Sequence, residues 1–249
     1  SASFTGFETL HIDVATGVTV ASDSLGMDAD IELDFAAAGT AVVSGHTDEA
    51  ISLSIGAGAV TASVASTATT GTSESISLSL AGDAATATTT TSVPTVALTL
   101  NSYETISLSV GDATTASGSA ASAASYTIAL TSSEAEAISV AVTSGVDLAL
   151  SLSATAATSL VVSGSGDVSV DGNAAGLDVS AIDLSGDLTM TSTAIAGTAA
   201  ADAVSVALGS GDDTISIGIG RLDVDLGGGD DTLNVTASGV ADLTRRDTL

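Results

Sequence analysis

Residues 209–216 read Gly-Ser-Gly-Asp-Asp-Thr-Ile-Ser, and residues 227–234 read Gly-Gly-Gly-Asp-Asp-Thr-Leu-Asn. The two stretches begin 18 residues apart and place Gly, Asp and an aliphatic residue at matching positions. Repeats of about this length indicate a solenoid, in which each coil buries its apolar row against the coils above and below. The 18-residue offset therefore predicts that the two stretches lie on adjacent coils.

The same stretches have the chemistry of a calcium loop. Ca²⁺ takes roughly six to eight oxygen ligands, and a Gly-rich turn can aim backbone carbonyls at the ion while Asp supplies charge. The alternative is an ordinary Gly-Asp turn, but the stacking register favours calcium. We predict that the metal ligands are Gly209, Gly211, Asp212, Asp213, Gly227, Gly229, Asp230 and Asp231.

Apolar and polar residues alternate along nearly the whole chain, as in Ile-Ser-Leu-Ser-Ile at 51–55. This period of two is typical of half-buried strands. A recurring Glu-x-Ile-Ser pattern begins several strands. Its Glu residues can be read either as ligands from a neighbouring coil or, as we favour, as strand-entry charges that discourage unwanted pairing. They are Glu49, Glu74, Glu104 and Glu136, with a looser copy at Glu8.

The predicted fold is all-β, a right-handed parallel β-helix or β-roll-like solenoid, with the handedness taken from the crossover rule. Residues 1–145 contain the Glu repeats and low-complexity Ser/Thr/Ala stretches, which we leave open as outward loops or polar strands. Residues 146–249 have shorter, closer strands. With one coil per roughly 18 to 20 residues we expect about a dozen coils, in one continuous segment of a larger protein.

The charge balance limits the classes of molecule that can bind the chain. The chain of 249 residues has 30 acidic residues against three Arg and no Lys, a net charge of −27, and no Cys. Such a surface repels nucleic acid and anionic membranes and attracts divalent cations. No apolar run approaches the roughly 18 residues that span a bilayer, so we expect no direct membrane insertion. An apolar fraction of 45% predicts a folded chain, and the composition favours the outside of the cell.

Weaker acidic clusters are further calcium candidates, although most charge runs are solvated faces. One is at Asp28, Asp30, Glu32 and Asp34, where strand alternation places the carboxylates on one face. Others are Asp223 with Asp225 and the stretch 167–173. We expect His11 and His46 to be solvated, and Arg221 to pair with a nearby carboxylate.

The two Gly-Asp stretches resemble the nonapeptide of RTX proteins, Gly-Gly-x-Gly-x-Asp-x-aliphatic-x. In that comparison Gly209 and Gly227 match the second Gly of the motif, Gly211 and Gly229 the third, and Asp213 and Asp231 its Asp ligand. Leu208 and Leu226 stand where the motif has its first Gly.

Residues 6–10 (Gly-Phe-Glu-Thr-Leu) and 103–106 (Tyr-Glu-Thr-Ile) are similar to strand starts of alphaproteobacterial, Caulobacter-type RTX surface-layer (S-layer) proteins. The resemblance implies a secreted structural protein that uses Ca²⁺ to fold and to join copies of itself into a lattice on the cell surface. It also implies export by type I secretion and attachment to cell-surface polysaccharide through another domain.

Three other functions were weighed. A calcium-stiffened stalk or binding module of a large RTX adhesin is the main alternative. A β-helical polysaccharide lyase or epimerase is disfavoured because such enzymes need a base and a cationic neutraliser, and only Arg221 precedes residue 245 as a cation. Ice binding by the Thr-rich run at 86–91 is disfavoured because we find no Thr row that recurs once per coil. We therefore expect a protein that is not an enzyme.

Overall fold

A computed structural model describes most of the chain, in 13 separate ranges. These are residues 9–21, 30–35, 38–44, 50–55, 59–65, 74–82, 95–111, 124–143, 145–172, 176–195, 204–218, 221–235 and 242–245. Within them the secondary structure is entirely β, with 21 strands. The described residues include no helix of the length and apolarity needed to cross a bilayer.

The strands form two sheets, and the chain visits them in turn. The odd-numbered strands make an 11-stranded sheet, here called the odd sheet: β1 Thr9–Asp13, β3 Asp30–Phe35, β5 Ala50–Ile55, β7 Ser75–Gly82, β9 Thr105–Gly111, β11 Ala137–Val142, β13 Ser159–Gly164, β15 Asp178–Leu184, β17 Val204–Ala207, β19 Arg221–Asp225 and β21 Asp242–Arg245. The even-numbered strands make a 10-stranded sheet, the even sheet: β2 Gly17–Ala21, β4 Gly39–Ser44, β6 Ala59–Ala65, β8 Thr95–Asn101, β10 Ala124–Ser132, β12 Val146–Ala154, β14 Val168–Gly172, β16 Leu188–Ile195, β18 Thr214–Ile217 and β20 Thr232–Val235.

Each strand pairs in parallel with the strand two further along the chain. One odd and one even strand therefore make one coil, and the described residues contain ten such coils followed by β21. At about 4.8 Å between stacked strands the ten coils span roughly 50 Å. The prediction of an all-β parallel solenoid is confirmed.

The core consists of aliphatic columns that run along the stack. In the odd sheet Ile106 pairs with Ile138, and Ile138 with Leu160, so each side chain lies on its counterpart in the next coil. All three are at most 1% exposed. Because the side chains alternate between the two faces of a strand, the intervening Ser and Thr residues point outwards. The alternating sequence thus yields a thin apolar core with a hydroxyl-rich surface on both sheets.

Coil lengths vary more than the sequence repeat indicates. Val204 and Leu222 pair at a separation of 18 residues, whereas Val60 and Val96 pair at a separation of 36. The described residues contain ten coils and β21, where about a dozen coils were expected for the whole chain, and several of these coils are longer than 20 residues. Most residues of the low-complexity stretches at 61–73, 84–95 and 113–125 fall outside the described ranges, although 61–65 belong to β6, 95 to β8 and 124–125 to β10.

Both sheets continue through residue 145. Strand β10 pairs with β12 in the even sheet, and β11 pairs with β13 in the odd sheet. The Glu-repeat part and the part with shorter strands therefore share the same two sheets. This continuity places the Gly-Asp stretches at the far end of a stack that begins with β1.

Replacing Ile138 by Ala should lower the free energy of unfolding by about 2 to 5 kcal/mol, because a cavity opens between two buried neighbours. Ala141→Ser is the matched control, since Ala141 is exposed on the same strand, and should change stability by less than about 0.5 kcal/mol. Urea unfolding followed by circular dichroism measures both. Equal midpoints for Ile138→Ala and the unaltered chain would contradict the stacked-column core.

Candidate metal centre at the coil corners

The Gly-Asp stretches lie at corners where the chain leaves the odd sheet and enters the even sheet. The corner between β17 and β18 contains Gly211, and that between β19 and β20 contains Gly229. Two earlier corners have the same arrangement, with Gly166 between β13 and β14 and Gly186 between β15 and β16. The four glycines stack on one another, and we call these four turns the Gly-Asp corners.

Glycine is required at these corners because the stacked backbones touch. A Cβ on Gly211 would overlap the carbonyl of Gly186, and a Cβ on Gly229 would overlap that of Gly211. Gly186 stands in the same relation to Gly166. Gly229 also has a positive φ of 131°, which L residues rarely adopt. The corners therefore bring consecutive backbones, and the Asp residues attached to them, into close register.

The Asp that follows each of these glycines reaches forward to the next coil. Oδ1 of Asp167 accepts a hydrogen bond from the backbone N–H of Asp187 at 3.0 Å. Oδ1 of Asp187 accepts one from Asp212 at 2.7 Å, and Oδ1 of Asp212 accepts one from Asp230 at 2.8 Å. These bonds form a forward ladder of like-charged side chains, each satisfied by a backbone donor.

A second ladder runs in the opposite direction. Oδ1 of Asp213 accepts a hydrogen bond from the N–H of Leu188, one coil back, at 2.7 Å. Oδ1 of Asp231 likewise accepts one from the N–H of Asp213, at 3.0 Å. The adjacent residues Asp212 and Asp213 thus accept hydrogen bonds from the next coil and from the previous coil, respectively.

Asp213 is the most constrained carboxylate of the corners. Its side chain is 1% exposed, and its second oxygen, Oδ2, is buried without a hydrogen-bond partner. Burial raises the pKa of Asp213, and the charges of Asp231 and Asp187 raise it further, against the opposing effect of the Leu188 N–H. A buried acceptor without a partner is costly, and a cation at Oδ2 would satisfy it and offset the repulsion.

The structure brings the predicted calcium residues together in stacked corners without focusing all their carboxylates on one point. Asp212 and Asp230 are exposed, whereas Asp213 is buried and Asp231 half-buried. Within the described ranges, no three ligand atoms from His, Cys, Asp or Glu residues of the Gly-Asp corners lie within 4.8 Å of one another. The donor set fits Ca²⁺ best at Asp213 and Asp231, where one Asp213 oxygen has no other partner.

The corners contain two carboxylates that the sequence interpretation did not assign as ligands, Asp167 and Asp187. Asp167 lay in a stretch considered only as a weak candidate, and Asp187 was missed. Both belong to a Ser-Gly-Asp triplet that begins at 165, 185 and 210. That triplet is the signal that could have identified the ladder.

The weaker candidates occupy outward positions. Asp223 and Asp225 are exposed on β19, and Oδ1 of Asp225 accepts a hydrogen bond from the N–H of Gly227 at 3.1 Å. Asp30, Glu32 and Asp34 lie on one face of β3, as the alternation predicts. Four further candidates, Glu8, Asp28, His46 and Glu49, lie outside the described residues, as does the side chain of Arg221.

His11 is exposed, as expected, but it has specific partners. Its Nε2 lies 3.1 Å from Oδ1 of Asp13, and its Nδ1 lies 3.1 Å from Oε2 of Glu32. The hydrogen bond to Glu32, followed by that to Asp13, raises the pKa of His11. The sequence interpretation missed this cluster because it depends on the register between β1 and β3, in which His11 pairs with Glu32.

The three repeated Glu residues that the structure describes occupy strand entries, but on inner strands and not at a sheet edge as predicted. Glu74, Glu104 and Glu136 directly precede β7, β9 and β11, and their backbones are joined by Glu104 N to Glu74 O and Glu136 N to Glu104 O bonds of 3.0 and 2.8 Å. The Glu104 carboxylate accepts the Glu74 N–H at 2.7 Å. These strands lie inside the sheet and not at its edge, so the Glu side chains act on neighbouring coils.

The glycine requirement can be tested with a matched pair of substitutions. Gly211→Ala should destabilise the chain by more than about 1 kcal/mol, because its Cβ must displace backbone of the previous coil. Gly228→Ala should have little effect, since a Cβ on Gly228 meets nothing within 4 Å. Thermal melts of the two variants in one buffer compare them. Equal melting temperatures would show that the corners are looser than described.

The buried Asp213 also predicts a pH dependence in calcium-free buffer. Because its pKa is raised from the usual 3.8 in the folded chain, the folded state binds this proton more tightly than the unfolded state. The proton on Asp213 therefore stabilises the folded state. This stabilisation is complete below pH 3.8 and is lost as the pH rises through the folded-state pKa of Asp213. Asp213→Asn keeps an oxygen that can accept the Leu188 N–H. Because Asn does not ionise, the variant does not lose this stability as the pH rises.

The Asn variant should therefore melt above the unaltered chain at pH 7, with the difference shrinking as the pH falls. Thermal melts of both proteins from pH 7 down to pH 3.8 measure this difference. The other carboxylates are common to both proteins, so their effects cancel. A constant difference, or an Asn variant that is less stable at every pH, would contradict the unpaired state of Oδ2.

Comparison of the chain with protein-family models, with curated proteins and with solved structures gives no match. The chemistry of the corners and the architecture that stacks them are therefore the features from which a function can be inferred.

Proposed function

We propose that this chain is a structural, calcium-dependent segment of a self-assembling bacterial surface layer. The observation that carries the proposal is the stack of Asp side chains at the Gly-Asp corners, in which Oδ2 of Asp213 is buried without a partner. A chain with a net charge of −27 that stacks carboxylates in register gains most from a divalent counter-ion. The RTX resemblance of the same residues points to Ca²⁺.

Asp213 and Asp231 would hold the ion, with backbone oxygens of the corner glycines as further ligands. Calcium supplies a hard divalent charge that binds several oxygens at once in flexible geometry. The chain's own contribution is to hold the carboxylates one coil apart, through the Leu188 and Asp213 N–H donors. Because the corners exist only in the folded coil, ion binding adds to the free energy of folding.

In a secreted protein, the coupling of calcium binding to folding would delay folding until after export. Extracellular calcium is abundant compared with cytosolic calcium, so a chain with unneutralised stacked carboxylates folds fully only after export. The proposed route is type I secretion, on the strength of the resemblance. The proposed location is the bacterial cell surface.

The solenoid also has surfaces suited to joining copies of itself. Among the described strands, those with one neighbour are β1 and β21 in the odd sheet and β2 and β20 in the even sheet. Edge strands present unpaired backbone groups that can accept another strand. Facing copies would carry large negative charge, so calcium between them would be needed to join them into a lattice.

A calcium-stiffened adhesin stalk is the alternative. Stalks of this type are built from tandem units of nearly equal length, whereas the coils here range from 18 to 36 residues between paired positions. The irregular coil length favours the surface-layer proposal.

One surface groove of the odd sheet favours a structural role over catalysis. It is a shallow space of about 300 Å³ on the outer face of the odd sheet, lined by Ser residues of β7, β9, β11 and β13 over an aliphatic floor. Its lining includes no ionisable side chain. A Ser nucleophile needs a neighbouring base, which this groove does not supply.

Calcium should stabilise the chain through the corners. In a thermal melt followed by circular dichroism, Ca²⁺ at about 100 times its Kd should add about 2.7 kcal/mol to the free energy of unfolding relative to EGTA. Asp213→Asn combined with Asp231→Asn should remove most of this response. The control is Asp147→Asn combined with Asp183→Asn, which removes the same amount of charge from exposed positions. This variant should retain the calcium response.

Assembly is measured on the full-length protein by light scattering and electron microscopy. Ordered sheets that form with Ca²⁺ and dissolve in EGTA are expected. Identical melting with and without calcium would overturn the metal site, and monodisperse monomers at millimolar Ca²⁺ would overturn the lattice.

A further inference from the structure

The first coil contains a group of ligand atoms that the calcium proposal does not use. His11 and Asp13 lie on β1, and Asp34 lies beside them on β3, where it pairs in register with Asp13. One ligand atom from each of these three residues lies within 4.8 Å of the other two. The backbone N–H of Val14 donates to the carbonyl of Asp34 at 2.8 Å, which fixes the two strands side by side at this point.

Asp34 supplies an independent indication of a missing ligand. Its Oδ1 is buried and has no hydrogen-bond partner, although the neighbouring His11 and Asp13 side chains are exposed to solvent. A buried carboxylate oxygen without a donor is costly. A cation held between Asp13, Asp34 and the His11 ring would remove that cost.

The ring of His11 is oriented in the way that metal-bound histidines are oriented. Nε2 faces Oδ1 of Asp13 at 3.1 Å, while Nδ1 lies 3.1 Å from Oε2 of Glu32 on the other side of the ring. Histidines that bind a metal through one nitrogen almost always donate the other N–H to a carboxylate or carbonyl, which fixes the tautomer. Glu32 is placed to accept that bond.

We propose that His11, Asp13 and Asp34 form a binding site for a divalent transition metal ion of the Zn²⁺ class, with Glu32 orienting the His11 ring. Zn²⁺ binds both imidazole nitrogen and carboxylate oxygen, with solvent able to complete the coordination. Calcium prefers oxygen ligands alone, so the imidazole separates this site chemically from the Gly-Asp corners. Two carboxylates also balance the charge of a divalent ion.

The position of the site indicates its role. Within the part of the chain that the structure describes, strand β1 is the first strand of the odd sheet and pairs with β3 alone, and Leu10 and Ile12 on it are only partly buried. A metal ion bound by both strands would fasten this edge strand to the stack. The site therefore acts as a clip at the end of the described solenoid remote from the Gly-Asp corners.

The test uses the full 249-residue chain in saturating Ca²⁺, so that the corners are occupied and Zn²⁺ must find another site. Calorimetric titration with Zn²⁺ should show binding of one ion per chain. Long-range ¹H–¹⁵N NMR should show the Nε2 resonance of His11 moving on Zn²⁺ addition, with Nδ1 staying protonated. The chain has two histidines, so His46 serves as an internal reference.

Substitutions separate ligands from the orienting residue. His11→Gln and Asp13→Asn should each weaken Zn²⁺ binding by more than about 100-fold, and Glu32→Gln by about 10- to 100-fold. His46→Gln should bind as the unaltered chain does. Melting curves in Ca²⁺ should coincide for all these variants, because His11, Asp13 and Glu32 are exposed or half-exposed.

Absence of Zn²⁺ binding to the unaltered chain would overturn the proposal, as would equal affinity in His11→Gln. Weak binding of many ions that all four variants retain would show general attraction to carboxylates, and would also overturn it. Neither result bears on calcium, since the titration is performed with the corners saturated and their response is measured separately.

Discussion

The structure depends on parallel, in-register stacking, which places every side chain about 4.8 Å from its counterpart one coil away. For aliphatic residues this arrangement is favourable, and the column of Ile106, Ile138 and Leu160 excludes water along the stack. For carboxylates it is unfavourable, because like charges are held at the same spacing. The Gly-Asp corners reduce this cost, because a backbone N–H of an adjacent coil donates to each of Asp167, Asp187, Asp212, Asp213 and Asp231. The remaining deficit is concentrated at Asp213.

The two cation sites proposed above both depend on this stacking, and their proposed chemistry differs because their neighbouring residues differ. At the corners only oxygen ligands are available, from Asp side chains and glycine carbonyls, which suits a hard ion such as Ca²⁺. At the first coil the register of β1 with β3 places an imidazole beside two carboxylates, which suits a borderline ion. Both proposals depend on strand register, since a shift of one residue would turn these side chains to the opposite face.

The sequence was sufficient to predict what depends on period and local composition. The alternation in residues 51–55 indicates half-buried strands, and the repeated Gly-Asp stretch indicates stacked corners; the parallel solenoid was predicted from these. It did not predict the spread of coil lengths, because a coil can lengthen from 18 to 36 residues without changing its pairing. The contact of His11 with Glu32 was missed for a related reason: it joins residues 21 positions apart, and the connection between β2 and β3 sets their register. Asp187 was missed although its Ser-Gly-Asp triplet is visible in the sequence.

The variable coil length has an evolutionary consequence. Connections of very different length return the chain to the same register, as the pairs Val60 with Val96 and Val204 with Leu222 show. Insertions and deletions between strands are therefore nearly neutral for the core, whereas a change within a strand affects the coils on both sides. A lineage that carries this solenoid can therefore change the connecting segments while conserving the stack of strands. Sequence drift in such a protein should be concentrated between the strands, which erases overall similarity long before the fold changes.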